Sequence, residues 1–284
     1  MLVVKNVKYL VPNSSLNKFV AECSDGLDWV IHLKDNHIIS SKRLFSEFFT
    51  SKLAKEFGIN VPDVSLVNIS IDDNILESLQ INESYFDSNC DIGVASRFIE
   101  SKTLSNLFKL SGITSENRIN NRDKVIDILK QSPNFNHIYG MKVFLHWIYL
   151  GDYHKGDTLQ IDTHKRIIFY DFNLAFMNSS YPFFNGSFND IWCELKEYSY
   201  QNIKFNRFNF SFDYVLDDIS YFEEWFDKLR EISKEKIYSE LEKMPKCWEV
   251  PNNYLNNLFN FIFESREKYL QEFVFAVKKN FTTM

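Results

Sequence analysis

Three aspartates stand where a metal and a phosphate could be handled. Asp152 and Asp157 lie five residues apart in the loop Gly151-Asp152-Tyr153-His154-Lys155-Gly156-Asp157, and Asp171 directly follows the apolar run 167–170. Phosphoryl transfer to a hydroxyl makes few demands on a protein. One carboxylate orients the hydroxyl or takes its proton, two oxygen ligands hold Mg²⁺ on the nucleotide phosphates, and a cation neutralises those phosphates. The aspartates could supply the first two. The cation would be Lys34, at the end of Trp29-Val30-Ile31-His32-Leu33-Lys34, with Glu47 thirteen residues on to aim it. Taken singly these residues say little: aspartates cap turns, and a lysine after a strand or a glutamate on a helix usually decorates a wet face. Their joint arrangement around a hairpin, with an apolar helix leading into the loop, is what points to a phosphate and metal site.

The elements that must position them divide the chain into two textures. Residues 1 to about 100 read as short strands and one helix. The stretch 1–11 alternates, and so does 18–33, with Asp25-Gly26 as a hairpin turn inside it. Ser41 is placed to cap a helix over 42–57, Gly58 to close it, and Pro62 to keep it closed. Another strand is expected over 64–71. From Leu104 onward, 124–129, 141–150, 214–244 and 252–279 carry apolar residues at helical spacing. One hairpin interrupts them, 158–161 and 166–170 around Asp162-Thr163-His164-Lys165. The expected fold class is α+β with a bilobal, protein-kinase-like layout: a small β-rich N-lobe over 1–100 and a larger helical C-lobe over 101–284.

Composition bounds the rest. The 284 residues are 45% apolar and 25% charged, an ordinary balance for an ordered globular chain. With 32 basic against 38 acidic residues the net charge is -6, so direct nucleic-acid binding is not expected. The longest apolar run, 143–150, is interrupted by His146 and is far shorter than the ~20 residues a bilayer requires. No secretory signal is evident at the start, and the expectation is a soluble, cytoplasmic protein with no membrane partner. Cys23, Cys90, Cys193 and Cys247 lie far apart without a Cys-x-x-Cys pair, which reads as reduced core thiols rather than zinc ligands or a disulfide framework. No Gly-x-Ser-x-Gly motif is present, His154 and His164 have no partners at metal-ligand spacing, and His146, inside an apolar helix, reads as a hydrogen-bonded core residue and not a base.

Residues 10–180 resemble HipA-like kinases, in particular their short single-domain branch. The likeness rests on Ser14-Ser15, the Asp25-Gly26 hairpin, the strand ending in Lys34, Leu44-Phe45-Ser46-Glu47, Leu53-Ala54 and Phe57-Gly58-Ile59-Asn60-Val61-Pro62. In the second half, 144–157 resembles the family's catalytic loop, and Tyr170-Asp171-Phe172 its metal-binding tripeptide. The resemblance implies Asp152 as catalytic base, Asp157 and Asp171 as Mg²⁺ ligands, Lys34 as the phosphate cation and Glu47 as its partner. It places Ser14 and Ser15 in the loop covering the phosphates. Residues 93–100, Phe98 among them, fall at the segment joining the lobes, where backbone groups commonly bond adenine. The implied cofactors are ATP and Mg²⁺, and the implied activity is phosphorylation of Ser/Thr hydroxyls of a protein. The implied partners are a protein substrate or a regulatory protein such as the antitoxin of a toxin–antitoxin pair. Two departures stand out: Tyr153 replaces the family's usual Arg, and Asp157 replaces Asn. They keep a second reading open, a pseudokinase-like protein-binding scaffold. A small-molecule phosphotransferase is the third, weakened by Leu150 where those enzymes carry His.

Overall fold

The computed structural model describes residues 1–11, 18–35, 40–69, 87, 89–114, 117, 119–148, 159–170, 172, 175, 219–264 and 266–282. Its N-terminal part begins with β1 (Leu2–Leu10), β2 (Phe19–Cys23) and β3 (Asp28–His32). The turn between β2 and β3 is built by its own residues. Gly26 supplies φ +75°, and the Asp25 carboxylate accepts from Leu27 N at 3.1 Å and from the Trp29 indole at 3.1 Å. Alternation along β2 and β3 sends Phe19, Ala21, Cys23, Trp29 and Ile31 into one small core. In β1, irregular register between Val4 and Asn6 shifts the parity, so Leu2, Val4 and Val7 all reach that core. β4 (Val64–Asn68) and β5 (Ile92–Arg97) complete a closed barrel in the order β1-β2-β3-β5-β4, with β1 and β4 parallel and every other pair antiparallel.

Helix α1 (Ser40–Phe57) lies between β3 and β4 in sequence, and 14 of its 18 residues are buried. A helix covered on nearly every side needs apolar or satisfied groups all round, and α1 carries Leu44, Phe45, Phe48, Phe49, Leu53 and Phe57 together with the hydrogen-bonded Ser46 and Glu47. Gly58 ends it at φ +87°, with Ile59 N bonded to Ala54 O and Gly58 N to Lys55 O, both at 3.0 Å. Its start differs from the expectation. The helix begins at Ser40, whose hydroxyl accepts from Asp35 N at 2.9 Å, so Ser41 is inside the first turn and not the cap.

The remainder is mainly helical, with a three-stranded antiparallel sheet. Strands β6 (Ser101–Thr103), β7 (Leu159–Asp162) and β8 (Ile167–Phe169) form that sheet, and β7 and β8 make the expected hairpin. The described helices are α2 (Leu104–Leu110), α3 (Arg122–Lys130), α4 (His137–Trp147), α5 (Ile219–Glu231), α6 (Lys234–Leu241), α7 (Asn252–Phe263) and α8 (Arg266–Thr282). Two long helical expectations are therefore divided. Ser233 breaks the first by capping α6, accepting from Lys236 N, and the second breaks between Phe263 and Arg266. One continuous core joins α1 to these helices: Phe57 stacks on Phe144 at 5.5 Å and lies 5.2 Å from the Trp225 ring. α4 and α5 cross closely because residue 140 is glycine; a Cβ there would stand 2.3 Å from the Trp225 ring. Among the described residues no helix is long and apolar enough to cross a membrane.

The cysteine expectation is corrected. Cys90 and Cys247 form a disulfide across a sequence separation of 157, while Cys23 is a buried free thiol. Linear spacing could not reveal a pair that only tertiary folding brings within a Cα–Cα distance of 5.3 Å.

Candidate functional site

The β7–β8 hairpin leads the chain toward residue 171 and is fixed from both ends. At its turn the Asp162 carboxylate, 1% exposed, accepts from His164 N at 2.9 Å and Arg166 N at 2.8 Å, and pairs with the Arg166 guanidinium at 2.8 Å. Burial alone would raise this carboxyl, but the Arg166 backbone and side-chain donors and His164 N–H outweigh it and hold it below the usual carboxylate range. Strand β8 is then gripped by two asparagines. Asn134 donates to Ile167 O at 2.9 Å and accepts from Ile167 N at 2.8 Å, imitating a neighbouring strand. Asn60 donates through its side chain to Ile167 O at 2.7 Å, and its carbonyl accepts from Phe169 N at 3.0 Å. His137 Nδ1 accepts from Asn60 N at 3.2 Å, and burial depresses its pKa to about 4, so the ring is a neutral acceptor near pH 7.

Beyond the hairpin, one turn of α1 holds the chain again. The Glu47 carboxylate accepts from Phe172 N at 3.1 Å, and Ser46 Oγ donates to Ala175 O at 3.0 Å. Glu47 is only 6% exposed, so its charge is stabilised by donors of this kind and not by water. The residue that precedes Phe172 in the chain is Asp171.

Lys34 and Glu47 are not brought together as an ion pair. Lys34 instead meets Asp87 at 2.8 Å, the Cys247 carbonyl at 2.9 Å and Glu249 at 3.7 Å. Two residues before it, His32 is buried, and burial, reinforced by the charges of Lys18 and Arg43, lowers its pKa well below the ordinary value. Gly93 permits the β3–β5 contact at this level, since a Cβ there would lie 2.3 Å from His32 O. Phe98, 37% exposed, follows β5, and its N–H donates to Asp28 O at 3.0 Å. That amide is used internally, which removes one of the backbone donors expected to meet adenine. Asp152, Asp157, Asp171, Ser14 and Ser15 lie outside the described residues. Among the described residues no group of three or more His, Cys, Asp or Glu is placed to hold a metal ion.

Sequence reasoning missed Asp87, Glu249 and the cysteine pair. Asp87-Ser88-Asn89 carries a turn signature, confirmed by Asn89 N donating to the Asp87 carboxylate at 2.9 Å, but nothing local connects that turn to Lys34. The asparagine grip on β8 was equally invisible, because Asn60 and Asn134 read as loop residues.

No protein-family model and no curated protein sequence matches the chain. A solved structure does: the crystal structure of a Helicobacter pylori proinflammatory kinase, CtkA, aligns with a TM-score of 0.57 at 10% identity, over 93% of this chain and 92% of that one. At that identity the likeness establishes a kinase-like fold: N-terminal strands and a helical C-terminal part.

Proposed function

We propose that the chain is a bilobal ATP- and Mg²⁺-dependent kinase of HipA-like type, with residues 1–100 as the small lobe and 101–284 as the large one. It transfers a phosphoryl group to Ser/Thr hydroxyls of a protein in the cytoplasm. The observation that carries this reading is the bond from Glu47 to Phe172 N. It couples the helix of the β-rich part to the residue next to Asp171, three positions beyond the end of a strand that two asparagines and Asp162 hold in place. Phosphoryl transfer relies on such positioning more than on covalent chemistry. The likeness to a kinase fold supports the reading at the level of architecture.

In the proposal Asp152 takes the hydroxyl proton, and Asp157 and Asp171 would hold the metal. When bound, Mg²⁺ would neutralise phosphate charge. Lys34 as placed does not fit a nucleotide, because its ammonium is engaged by Asp87, Glu249 and the Cys247 carbonyl. No step is therefore derived through it. A regulatory protein partner of antitoxin type belongs to the same proposal, and co-purification from the native host tests it.

The enzymatic test is transfer of labelled phosphate from ATP with Mg²⁺ to the chain itself and to a cell lysate. Asp152→Ala should lower the rate by ~10²–10⁴-fold. Equal, background-level labelling by wild type and variant under both oxidising and reducing conditions would remove the kinase reading. The engagement of Lys34 favours one alternative, a kinase-like binding scaffold. Such a scaffold would show no rise in melting temperature with Mg-ATP, whereas a nucleotide binder is stabilised by mass action.

A further inference from the structure

Lys34 is enclosed by partners that come from two distant segments, and those two segments are joined covalently. An ammonium has three protons to donate and nothing to accept; Asp87 and the Cys247 carbonyl take two of them, and Glu249 stands farther off, at 3.7 Å, as a charge partner. Both partner segments are themselves held in place. Asp87 donates its N–H to Lys34 O at 3.2 Å and accepts Cys90 N on its carbonyl at 3.0 Å, forming a turn that runs straight into the cysteine. Its carboxyl is held below the usual range, first by the hydrogen bond from Lys34. On the other side, the one-turn 3-10 helix Lys246–Trp248 is seated on the barrel by the buried Trp248, whose indole donates to Ile92 O at 3.0 Å. The turn ends at Glu249 in a left-handed conformation, φ 54°. The Cys90–Cys247 disulfide bridges these two segments beside the lysine.

We infer that the Cys90–Cys247 disulfide is a redox latch that keeps Lys34 bound to the chain's own carboxylates, and that a dithiol reductant opens it. What Lys34 then grips, a nucleoside polyphosphate, rests on the kinase reading above. The physical basis is effective concentration. A covalent link between the Asp87 turn and the 246–248 turn holds the carbonyl of Cys247 and the carboxylate of Glu249 permanently at the ammonium, where a dissolved anion must compete with them. Without the link the turn is still anchored by Trp248, through its indole on Ile92 O and its edge contact with Phe48, while the acceptors on either side of that anchor can move away from the ammonium.

The chemistry is thiol–disulfide exchange and balances without a further reactant. Cys90 is 4% exposed while Cys247 is half-buried, so the reductant's thiolate attacks Cys247 Sγ. Cys90 leaves as thiolate and takes a proton. The second thiol of the reductant then closes on its own sulfur in the mixed disulfide and releases Cys247, which is protonated in turn. Two electrons pass from the dithiol to the protein, and the dithiol ends as its own disulfide.

The test reads Lys34 directly. The full chain is treated with an amine-acylating reagent, with and without dithiothreitol, and acylation of Lys34 is followed by peptide mass spectrometry against the exposed Lys102. The rate at Lys34 should rise by about tenfold or more on reduction, and Cys90→Ser should show the fast rate under both conditions; Cys247→Ser gives the same reading if the first variant does not fold. An unchanged Lys34 rate after confirmed reduction overturns the latch, and so does finding both thiols free to alkylate before reductant is added. A parallel arm adds Mg-ATP to the reduced chain. Protection of Lys34 extends the inference to nucleotide. A latch that opens with no protection leaves the redox device standing and counts against the kinase reading, so the two failures are distinct.

Discussion

Replacing Glu47 separates two roles that its position could serve, a hydrogen-bond acceptor and a charge. Its carboxylate accepts from Phe172 N at 3.1 Å in a setting where the residue is 6% exposed. Glu47→Ala removes a charged acceptor from a buried N–H, a loss of ~1.5–3 kcal/mol. Deleting the buried charge also relieves its desolvation while leaving a void, and these act in opposite directions, so a net loss of about 2 kcal/mol is expected. For a chain of this size that lowers Tm by roughly 3–4 °C. Glu47→Gln keeps an acceptor of the same shape, and its loss should stay under about 1 kcal/mol. Thermal melts of the three proteins check the ordering, and amide exchange at Phe172 checks the cause: fast in the Ala variant, near wild type in the Gln variant. If Gln falls as far as Ala, the charge and not the bond to Phe172 is what matters. If Ala melts with wild type, the bond contributes nothing and the reasoning fails.

Gly140→Ala should destabilise by ~1–3 kcal/mol despite better helix propensity, because the new methyl meets a Trp225 indole pinned to Asn136 O at 3.0 Å; a shorter residue at 225 should partly rescue it in a double-mutant cycle. Asn134→Ala removes one of two partners from each end of the Ile167 peptide groups, leaving Ser132 Oγ on the N–H and Asn60 on the carbonyl, and should lose ~1–2 kcal/mol, measured by urea unfolding. Acid should weaken the fold through His137. The unfolded ring takes its proton near pH 6.5 and the folded ring only at about 4, so stability is complete above that window and falls as pH drops through it. His32, lowered in the same direction, adds to the slope, and His137→Gln should therefore flatten the Tm–pH profile without abolishing its slope.

What the sequence made legible was local. The Asp25-Gly26 and Asp162 turns, the glycine that ends α1 and the alternating strands each depend on residues a few positions apart, and each is found close to where it was expected. β6 escaped because three residues carry no period. The helical breaks at Ser233 and after Phe263 escaped because apolar spacing continued through them. Of the candidate residues, Lys34 and Glu47 were singled out by residue type, yet the partners they have in the fold were not legible. The Cys247 carbonyl is 213 positions from Lys34, and Phe172 is 125 from Glu47. A backbone carbonyl or N–H carries no residue-type signal at all, so contacts of that kind become readable only when the chain is folded.

The interior position of α1 restricts how this molecule could be regulated. Phe57 is wedged among Phe144, Trp147 and Trp225 at one end, and Ser46 and Glu47 are bonded to residues 175 and 172 in the middle. Tilting such a helix outward would break apolar packing and polar ties at the same moment, with no intermediate arrangement to catch either loss. Swinging the helix is thus an expensive route to an on/off response here, and the cheaper adjustments are left to the surface turns around its edges.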